Sequence, residues 1–163
     1  MRHGLDETIA MLDTIDRPTI LVPGNAESDV ELQEACREWA AAVVLHGDGT
    51  EIDGIPVYGI GGGIPVTPFG DWSFDHTEAE AGAMLSALPK GAVLVSHSPP
   101  KGALDVTSDG RSLGSISLRE AIETKQPRLV VCGHIHDSAG QHDMIGSTPV
   151  VNAGPAGIAW DLE

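Results

Sequence analysis

The sequence predicts a layered α/β domain, and two observations support this fold class. Short apolar runs of strand length alternate along the chain with amphipathic segments of helical spacing. Hydrophobic residues make up 41% of the chain and aromatic residues only 4%, so the core must consist mainly of aliphatic side chains. At 163 residues, we expect a single domain that covers residues 1–163.

Four helices are predicted from apolar spacing and N-terminal caps. The first has apolar residues from Leu5 to Ile15 and is ended by Pro18. Each of the other three begins at a capping box, in which Ser or Thr precedes Glu by three positions. These boxes lie at residues 28–31, opening a helix through residue 39; at 77–80; and at 117–120, before a helix that stops near residue 127.

Six apolar runs are predicted to be strands. They cover residues 19–22, 42–45, 55–60, 92–95, 129–132 and 150–151. The sequence Gly47-Asp48-Gly49 is a turn signal. It therefore predicts that the second and third strands form a hairpin-like pair.

Polar side chains that can bind metal ions follow four of these strands. Asn25 follows the first, His97 the fourth, His134 and His136 the fifth, and Asn152 the sixth. Ligands of open α/β sheets bind outside the carboxyl ends of the strands. The sequence therefore predicts a functional site at this edge.

The His134-Ile135-His136 segment is the strongest single signal for a metal. Because strand side chains alternate with a period of two, both imidazoles are expected on one side. Imidazole ligands suit Mn, Fe, Zn or Ni ions. Taken alone, each residue has an ordinary alternative: solvated loop histidines for this pair, a structural histidine for His97, and a turn residue for Asn25.

The order Gly-Asn, strand-end His and Gly-His-x-His resembles the calcineurin-like metallophosphoesterases of small prokaryotic type. The segments at residues 95–100 and 145–155 also look like the corresponding parts of that family. The resemblance implies a four-layer α/β/β/α sandwich in which two divalent ions hold a bridging hydroxide that hydrolyses a phosphate ester. It implies Asn25, His97 and His134 as ligands of one ion, His136 as a ligand of the other, and a small phosphorylated substrate. It identifies no catalytic side chain.

Two family features are missing from the sequence. The Asp-x-His and Gly-Asp motifs that supply carboxylate ligands do not occur in the 23 residues before Gly24. We therefore expect an N-terminally truncated domain without its first strands, either because Met1 is internal to a longer gene or because the chain is a fragment. Such a chain would be an impaired enzyme, and its exposed sheet edge would favour a homo-oligomer.

The second missing feature is a proton donor. Ala26 stands where family members carry a histidine that acts on the leaving group. His76 and His142 could replace it by residue type alone, although both are expected to be solvated surface residues. The alternative function is a non-catalytic binding module with the same fold. The presence of Asn25 and three candidate histidine ligands favours the enzyme.

The charge of the chain narrows the choice of partners. With 24 acidic and 9 basic residues the net charge is −15, so neither a nucleic-acid-binding surface nor binding to an anionic membrane is expected. The acidity fits either an ordinary cytoplasmic protein or adaptation to high salt.

The opening residues do not read as a signal peptide, and no apolar run approaches the ~20 residues of a membrane span. Cys36 and Cys132 are expected to be small buried hydrophobes.

Overall fold

The computed structural model describes residues 4–162. Four α-helices and eight strands occur in this part of the chain. The helices are α1 (Leu5–Leu12), α2 (Asp29–Ala35), α3 (Glu78–Leu85) and α4 (Ile116–Lys125), with short 3-10 helices at Gly70–Trp72 and His136–Ser138. The strands are β1 (Thr19–Leu21), β2 (Ala42–Val44), β3 (Asp48–Ile52), β4 (Ile55–Ile60), β5 (Val93–Ser96), β6 (Leu129–Cys132), β7 (His142–Ile145) and β8 (Thr148–Asn152).

Two sheets form the centre of the molecule. Strands β1 and β2 are parallel and form a small sheet, while the large sheet has the order β3-β4-β5-β6-β8-β7. Within the large sheet β4, β5, β6 and β8 are parallel, and β3 and β7 run antiparallel to their neighbours. Parallel strands end at the same edge of the sheet, so the loops that follow them lie close together.

Three apolar clusters separate four layers. Leu32 and Trp39 belong to the cluster between the small sheet and helices α1 and α2. Val93 and Leu129 belong to the cluster between the two sheets. Leu94 belongs to the third cluster, between the large sheet and helices α3 and α4. The predicted α/β/β/α sandwich is therefore confirmed. Among residues 4–162, β1 and β2 pair only with each other, and the homo-oligomer that such a sheet edge would favour stays a prediction.

The predicted hairpin is wrong. Residues 48–52 form β3, which pairs antiparallel with β4, and the turn lies at Asp53-Gly54. Both turn residues have positive φ (50° and 80°), as a tight two-residue hairpin requires. Strand β2 pairs with β1 in the other sheet instead. The pattern of β3 is mostly polar and exposed, so no apolar run marked it as a strand.

Two helix predictions also need correction. Helix α1 ends at Leu12 and helix α2 at Ala35, so both are shorter than the apolar spacing suggested. The capping boxes at Ser28 and Thr77 are confirmed. The third box is wrong, because the N-cap of α4 is Ser115 and Ser117 lies inside the helix. Cys36 and Cys132 are buried as expected.

Glu78 of α3 supplies the acidic partner that α4 lacks in its own first turn. Its carboxylate accepts hydrogen bonds from the hydroxyls of Ser115 and Ser117 at 2.7 and 2.6 Å. It also accepts from the backbone N–H groups of Ile116 and Ser117 at 2.8 and 2.9 Å. Burial alone would raise the pKa of Glu78, but these hydrogen bonds lower it below its ordinary value. The contact holds α3 against α4 and fixes the end of the segment that leads into α3.

No helix among residues 4–162 is both long enough and apolar enough to span a bilayer.

Replacement of Glu78 by Gln is expected to lower the free energy of unfolding by about 1–3 kcal/mol, because an acceptor of charged hydrogen bonds becomes partly a donor. Urea unfolding at pH 7 measures this, with Glu120→Gln on the exposed face of α4 as the matched control. The lowered pKa means that the contribution of Glu78 is present above the unfolded value and is lost as pH falls through the folded value. The difference between wild type and variant should therefore shrink in acid. An equal difference at pH 7 and pH 3 would contradict this assignment.

Candidate functional site

The register of the large sheet brings the histidine-bearing loops together. Val95 of β5 pairs with Val131 of β6, so both strands end at the same level. The backbone N–H of Gly133 donates to the carbonyl of His97 at 3.1 Å and extends this pairing beyond the strands. On the other side the N–H of His97 donates to the carbonyl of Ile60 at the end of β4 at 3.1 Å.

Three side chains converge at this edge. The Nε2 atom of His97 lies 3.1 Å from Oδ1 of Asn25 and 3.0 Å from Nδ1 of His134. Ligand atoms that share one tetrahedral Zn²⁺ at about 2.0–2.1 Å lie roughly 3.3 Å apart, so these two separations are close to those of neighbouring ligands of one ion. The structure thus joins three of the four predicted ligands, which come from three different strand ends.

His136 does not take part in the hydrogen bonds that join this cluster. His134 has a φ of 64°, in the left-handed region, and the N–H of Ile135 donates to the carbonyl of Gly133 at 2.7 Å to close a tight turn around it. The chain therefore leaves strand geometry at once, and the two-residue alternation expected for this pair does not apply. His136 begins a short 3-10 helix and is exposed, although its charge still influences the pKa values of His97 and His134.

Burial keeps the clustered histidines neutral. Burial, reinforced by the charge of His134 and opposed by that of Asp75, lowers the pKa of His97 to about 4. Burial also lowers the pKa of His134, again against an opposing effect of Asp75. Both imidazoles therefore hold lone pairs at neutral pH, as metal ligation requires.

Asn152, at the end of β8, supports the histidine loop. Its side-chain amide donates to the carbonyls of Ile135 at 2.9 Å and Gly133 at 3.4 Å, and its Oδ1 accepts from the N–H of Gly154 at 3.2 Å. The side chain is 2% exposed. Sequence reasoning placed Asn152 at the correct edge but gave it no role, which the structure identifies as fixing the backbone on both sides of His134.

A segment between β4 and α3 contributes residues that sequence reasoning missed. Ser73 accepts a hydrogen bond from Nδ2 of Asn25 at 3.0 Å and donates to Oδ1 of Asp75 at 2.7 Å. Oδ2 of Asp75 accepts from the backbone N–H and the hydroxyl of Thr67 at 2.8 and 2.6 Å. Burial raises the pKa of Asp75, but the hydrogen bonds from Thr67 and Ser73 outweigh this and lower it, so the carboxylate stays ionised.

Glycines allow this segment to pack closely against the site. A Cβ on Gly61 would overlap the ring of Pro23, and one on Gly63 would overlap Oδ1 of Asp75. All three residues of the Gly61-Gly62-Gly63 run are buried, so close packing explains why this run consists of glycines.

Neither His76 nor His142, the two predicted proton donors, lines the cavity beside Ala26. Ala26 borders a cavity of about 710 Å³ whose lining also includes Glu27, Asp71 and Trp72. The side chain of Trp72 is 83% exposed there. His142 lies exposed on β7, as expected. The expectation that His76 is solvated is wrong, because its Nε2 atom is buried and has no hydrogen-bond partner among residues 4–162. Its ring packs 4.8 Å from that of His46.

The donor set fits a divalent ion in part. Residues 4–162 contain no group of three or more His, Cys, Asp or Glu side chains that could hold a metal ion. The third donor of the cluster is the amide oxygen of Asn25, a neutral hard ligand. The cluster therefore offers a ligand sphere of the right size without a negative charge of its own.

Comparison with known proteins places the chain in a family. Residues 2–157 match the family model described as metallophosphoesterase, calcineurin superfamily. The chain belongs to this family. The resemblance seen in the strand-end motifs is thereby confirmed.

Curated relatives share the family over most of the chain. Metallophosphoesterase domain-containing protein 1 of Homo sapiens is 31% identical over 140 residues, which is 82% of this chain and 39% of that protein. UPF0046 protein K07C11.7 of Caenorhabditis elegans is 33% identical over 113 residues, or 67% of this chain and 36% of that protein. The chain thus spans about two-fifths of the length of these relatives.

Solved structures show the same fold. The protein TT1561 of Thermus thermophilus superposes with a TM-score of 0.71 at 21% identity, over 94% of this chain and 70% of that one. A second crystal structure gives a TM-score of 0.75 at 22% identity, over 94% of this chain and 63% of the other. Both similarities support the metallophosphoesterase architecture.

Replacement of Gly63 by Ala is expected to destabilise the protein by about 1–3 kcal/mol, because the added methyl group meets the Asp75 carboxylate and must displace it. Gly82→Ala is the matched control. Its Cβ would meet only Ser117 at 3.8 Å, and a helical Ala should stabilise by up to about 1 kcal/mol. Thermal unfolding of both variants measures the difference. Equal stability would show that Asp75 is not held as tightly as its contacts indicate.

Proposed function

We propose that this chain forms part of a divalent-metal site that hydrolyses the phosphate ester of a small phosphorylated substrate. Asn25, His97 and His134 would bind one ion, and His136 would lie towards a second. The observation that carries the proposal is that two neutral ligand atoms, Oδ1 of Asn25 and Nδ1 of His134, lie 3.1 and 3.0 Å from a third, Nε2 of His97. The chain that holds them belongs to a phosphoesterase family.

The chemistry of the donors narrows the choice of ion. Two imidazoles and one amide oxygen suit Mn, Fe, Zn or Ni better than Ca or Mg, which prefer carboxylates and water. A bound ion would supply the Lewis acid that polarises the phosphoryl oxygens. The residues of this chain would hold that ion without a net loss of protons, because burial keeps His97 and His134 neutral and the ring proton of His97 can move from Nε2 to Nδ1.

Charge limits what the site can achieve. Three neutral ligands leave a dication uncompensated. The carboxylate that influences the pKa values of both histidines is Asp75, and its two oxygens are engaged by Ser73 and Thr67. We therefore expect weak metal binding and low activity from this chain.

The leaving group must depart without a proton from residue 26. Ala26 has no titratable atom, and general-acid help of this kind is often worth ~10²–10⁴ in rate. The site should therefore favour esters whose leaving groups are stable anions, such as aryl phosphates, over simple alkyl phosphates.

Ala26 and the neutral ligand atoms also favour the second candidate function, a non-catalytic binding module. Such a module would need neither a proton donor at position 26 nor a negatively charged ligand. The two candidates differ in their need for the histidine cluster, because a binding module does not depend on metal affinity.

Metal binding is the direct test. Equilibrium dialysis against Zn²⁺ or Mn²⁺ is expected to find well below two ions per chain, and His97→Ala and His134→Ala should each remove the remaining binding. His142→Ala, an exposed histidine on β7, is the matched control and should bind as wild type does. Two tightly held ions would contradict the weak, neutral site. Binding unchanged in both cluster variants would favour the binding module.

The substitution Ala26→His is expected to raise hydrolysis of an alkyl ester such as glycerol phosphate selectively, by up to ~10²–10⁴-fold. Hydrolysis of p-nitrophenyl phosphate should change much less, since its leaving group needs no proton. Release of inorganic phosphate with saturating Mn²⁺ measures both rates, and Ala40→His at an exposed position controls for an added histidine. A uniform increase for both esters would contradict the leaving-group role of position 26.

A further inference from the structure

We propose that Asp75, acting through Ser73, is a positioning residue that turns the amide oxygen of Asn25 towards His97 and His134. The inference rests on the proposed function, because the amide oxygen of Asn25 would be a ligand of the proposed metal ion. The orientation itself is a property of the metal-free protein and can be measured without any ion.

The chain of hydrogen bonds has a fixed direction. An ionised carboxylate only accepts hydrogen bonds, so the single hydroxyl proton of Ser73 is donated to Oδ1 of Asp75 at 2.7 Å. The Ser73 oxygen can then only accept a hydrogen bond from Asn25. The group of Asn25 that lies 3.0 Å from this oxygen must therefore be the amide NH2, with its nitrogen Nδ2. The amide oxygen is thereby left to face His97 at 3.1 Å.

This direction matters because the two ends of an amide are nearly equal in shape. Their orientation is decided by the hydrogen-bond network around them. A flipped Asn25 would present an amine to His97 and would have no lone pair for a cation. Asp75 therefore determines, two hydrogen bonds away, whether Asn25 can act as a ligand.

The other oxygen of Asp75 determines how an asparagine at position 75 would be oriented. Oδ2 accepts from both the N–H and the hydroxyl of Thr67, and a backbone N–H can only donate. In the variant Asp75→Asn the remaining oxygen should therefore stay on Thr67, and the new amine should face Ser73. Ser73 would then accept from residue 75 and donate its proton to the oxygen of Asn25, which reverses the amide.

The tautomer of His97 reports this reversal. In wild type, Nε2 of His97 faces the Asn25 oxygen and Nδ1 of His134, and a proton on Nε2 satisfies both. After the flip an amine would donate to Nε2, and the proton of His97 would move to Nδ1. A residue that only held the loop in place would not produce this change.

The experiment compares three variants with wild type, first without metal. Two-bond ¹H–¹⁵N spectra of the EDTA-treated protein at pH 7.5 distinguish the tautomers, and titration with Co²⁺ then gives the metal affinity. Asp75→Asn should move His97 to the Nδ1–H tautomer and weaken Co²⁺ binding by about 10–100-fold, as loss of an outer-shell partner does. Ser73→Ala removes the hydroxyl that links Asp75 to Asn25 and should weaken Co²⁺ binding by a similar factor. It replaces Asp75→Asn in the test if that variant does not fold.

Thr67→Val is the matched control. It removes a side-chain hydrogen bond to the same carboxylate on the Oδ2 side and leaves the path to Asn25 intact. Its His97 tautomer and Co²⁺ affinity should match wild type within about twofold. An unchanged Nε2–H tautomer in Asp75→Asn, or an equal loss of affinity in Thr67→Val, would overturn the proposal. If no form binds Co²⁺, the proposed function fails and the tautomer of His97 alone decides the role of Asp75.

Discussion

Parallel pairing of β5 with β6 sets the one distance on which the site depends. Val93 and Val95 pair with Leu129 and Val131, so the strands end at the same level. The hydrogen bond between Gly133 and His97 carries that register past the end of both strands. Because both faces of these strands are covered by apolar layers, a slip of one residue would move every side chain of the strand into the opposite layer and disrupt the packing of both. The core therefore fixes the polar contact between the two histidines.

Close packing of glycine-rich backbone supplies the second half of the site. Buried glycines let the segment after β4 lie against the loop that carries Asn25. The N–H of Phe74 donates to the carbonyl of Asn25 at 2.8 Å, and Ser73 holds its side-chain amine. One segment thus holds the backbone and the side chain of the same ligand. The result is a cluster that is joined by hydrogen bonds but has no negative charge on its ligand atoms, and this lack of charge is the reason for the weak metal binding we expect.

The sequence predicted the apolar strands and the order of their polar ends, since both signals are local. It could not predict the roles of Ser73 and Asp75, because nothing in their own segment shows that Ser73 contacts Asn25. The two residues are 48 positions apart in sequence, whereas Nδ2 of Asn25 lies 3.0 Å from the hydroxyl of Ser73. The capping box at Ser117 failed for a similar reason: Glu78, from another helix, supplies the contacts that a local glutamate would make. The expected alternation of His134 and His136 was wrong, because the turn at residue 134 ends strand geometry there. The role of His136 as a ligand stays a prediction.

We propose above all that Asn25, His97 and His134 together bind a single divalent ion. A crystal of the protein soaked in Zn²⁺ and measured at the zinc absorption edge tests this binding. We expect one anomalous peak about 2.0–2.2 Å from Oδ1 of Asn25, Nε2 of His97 and Nδ1 of His134. Zinc bound elsewhere, for example at the exposed His142, with no peak among these three atoms would contradict it.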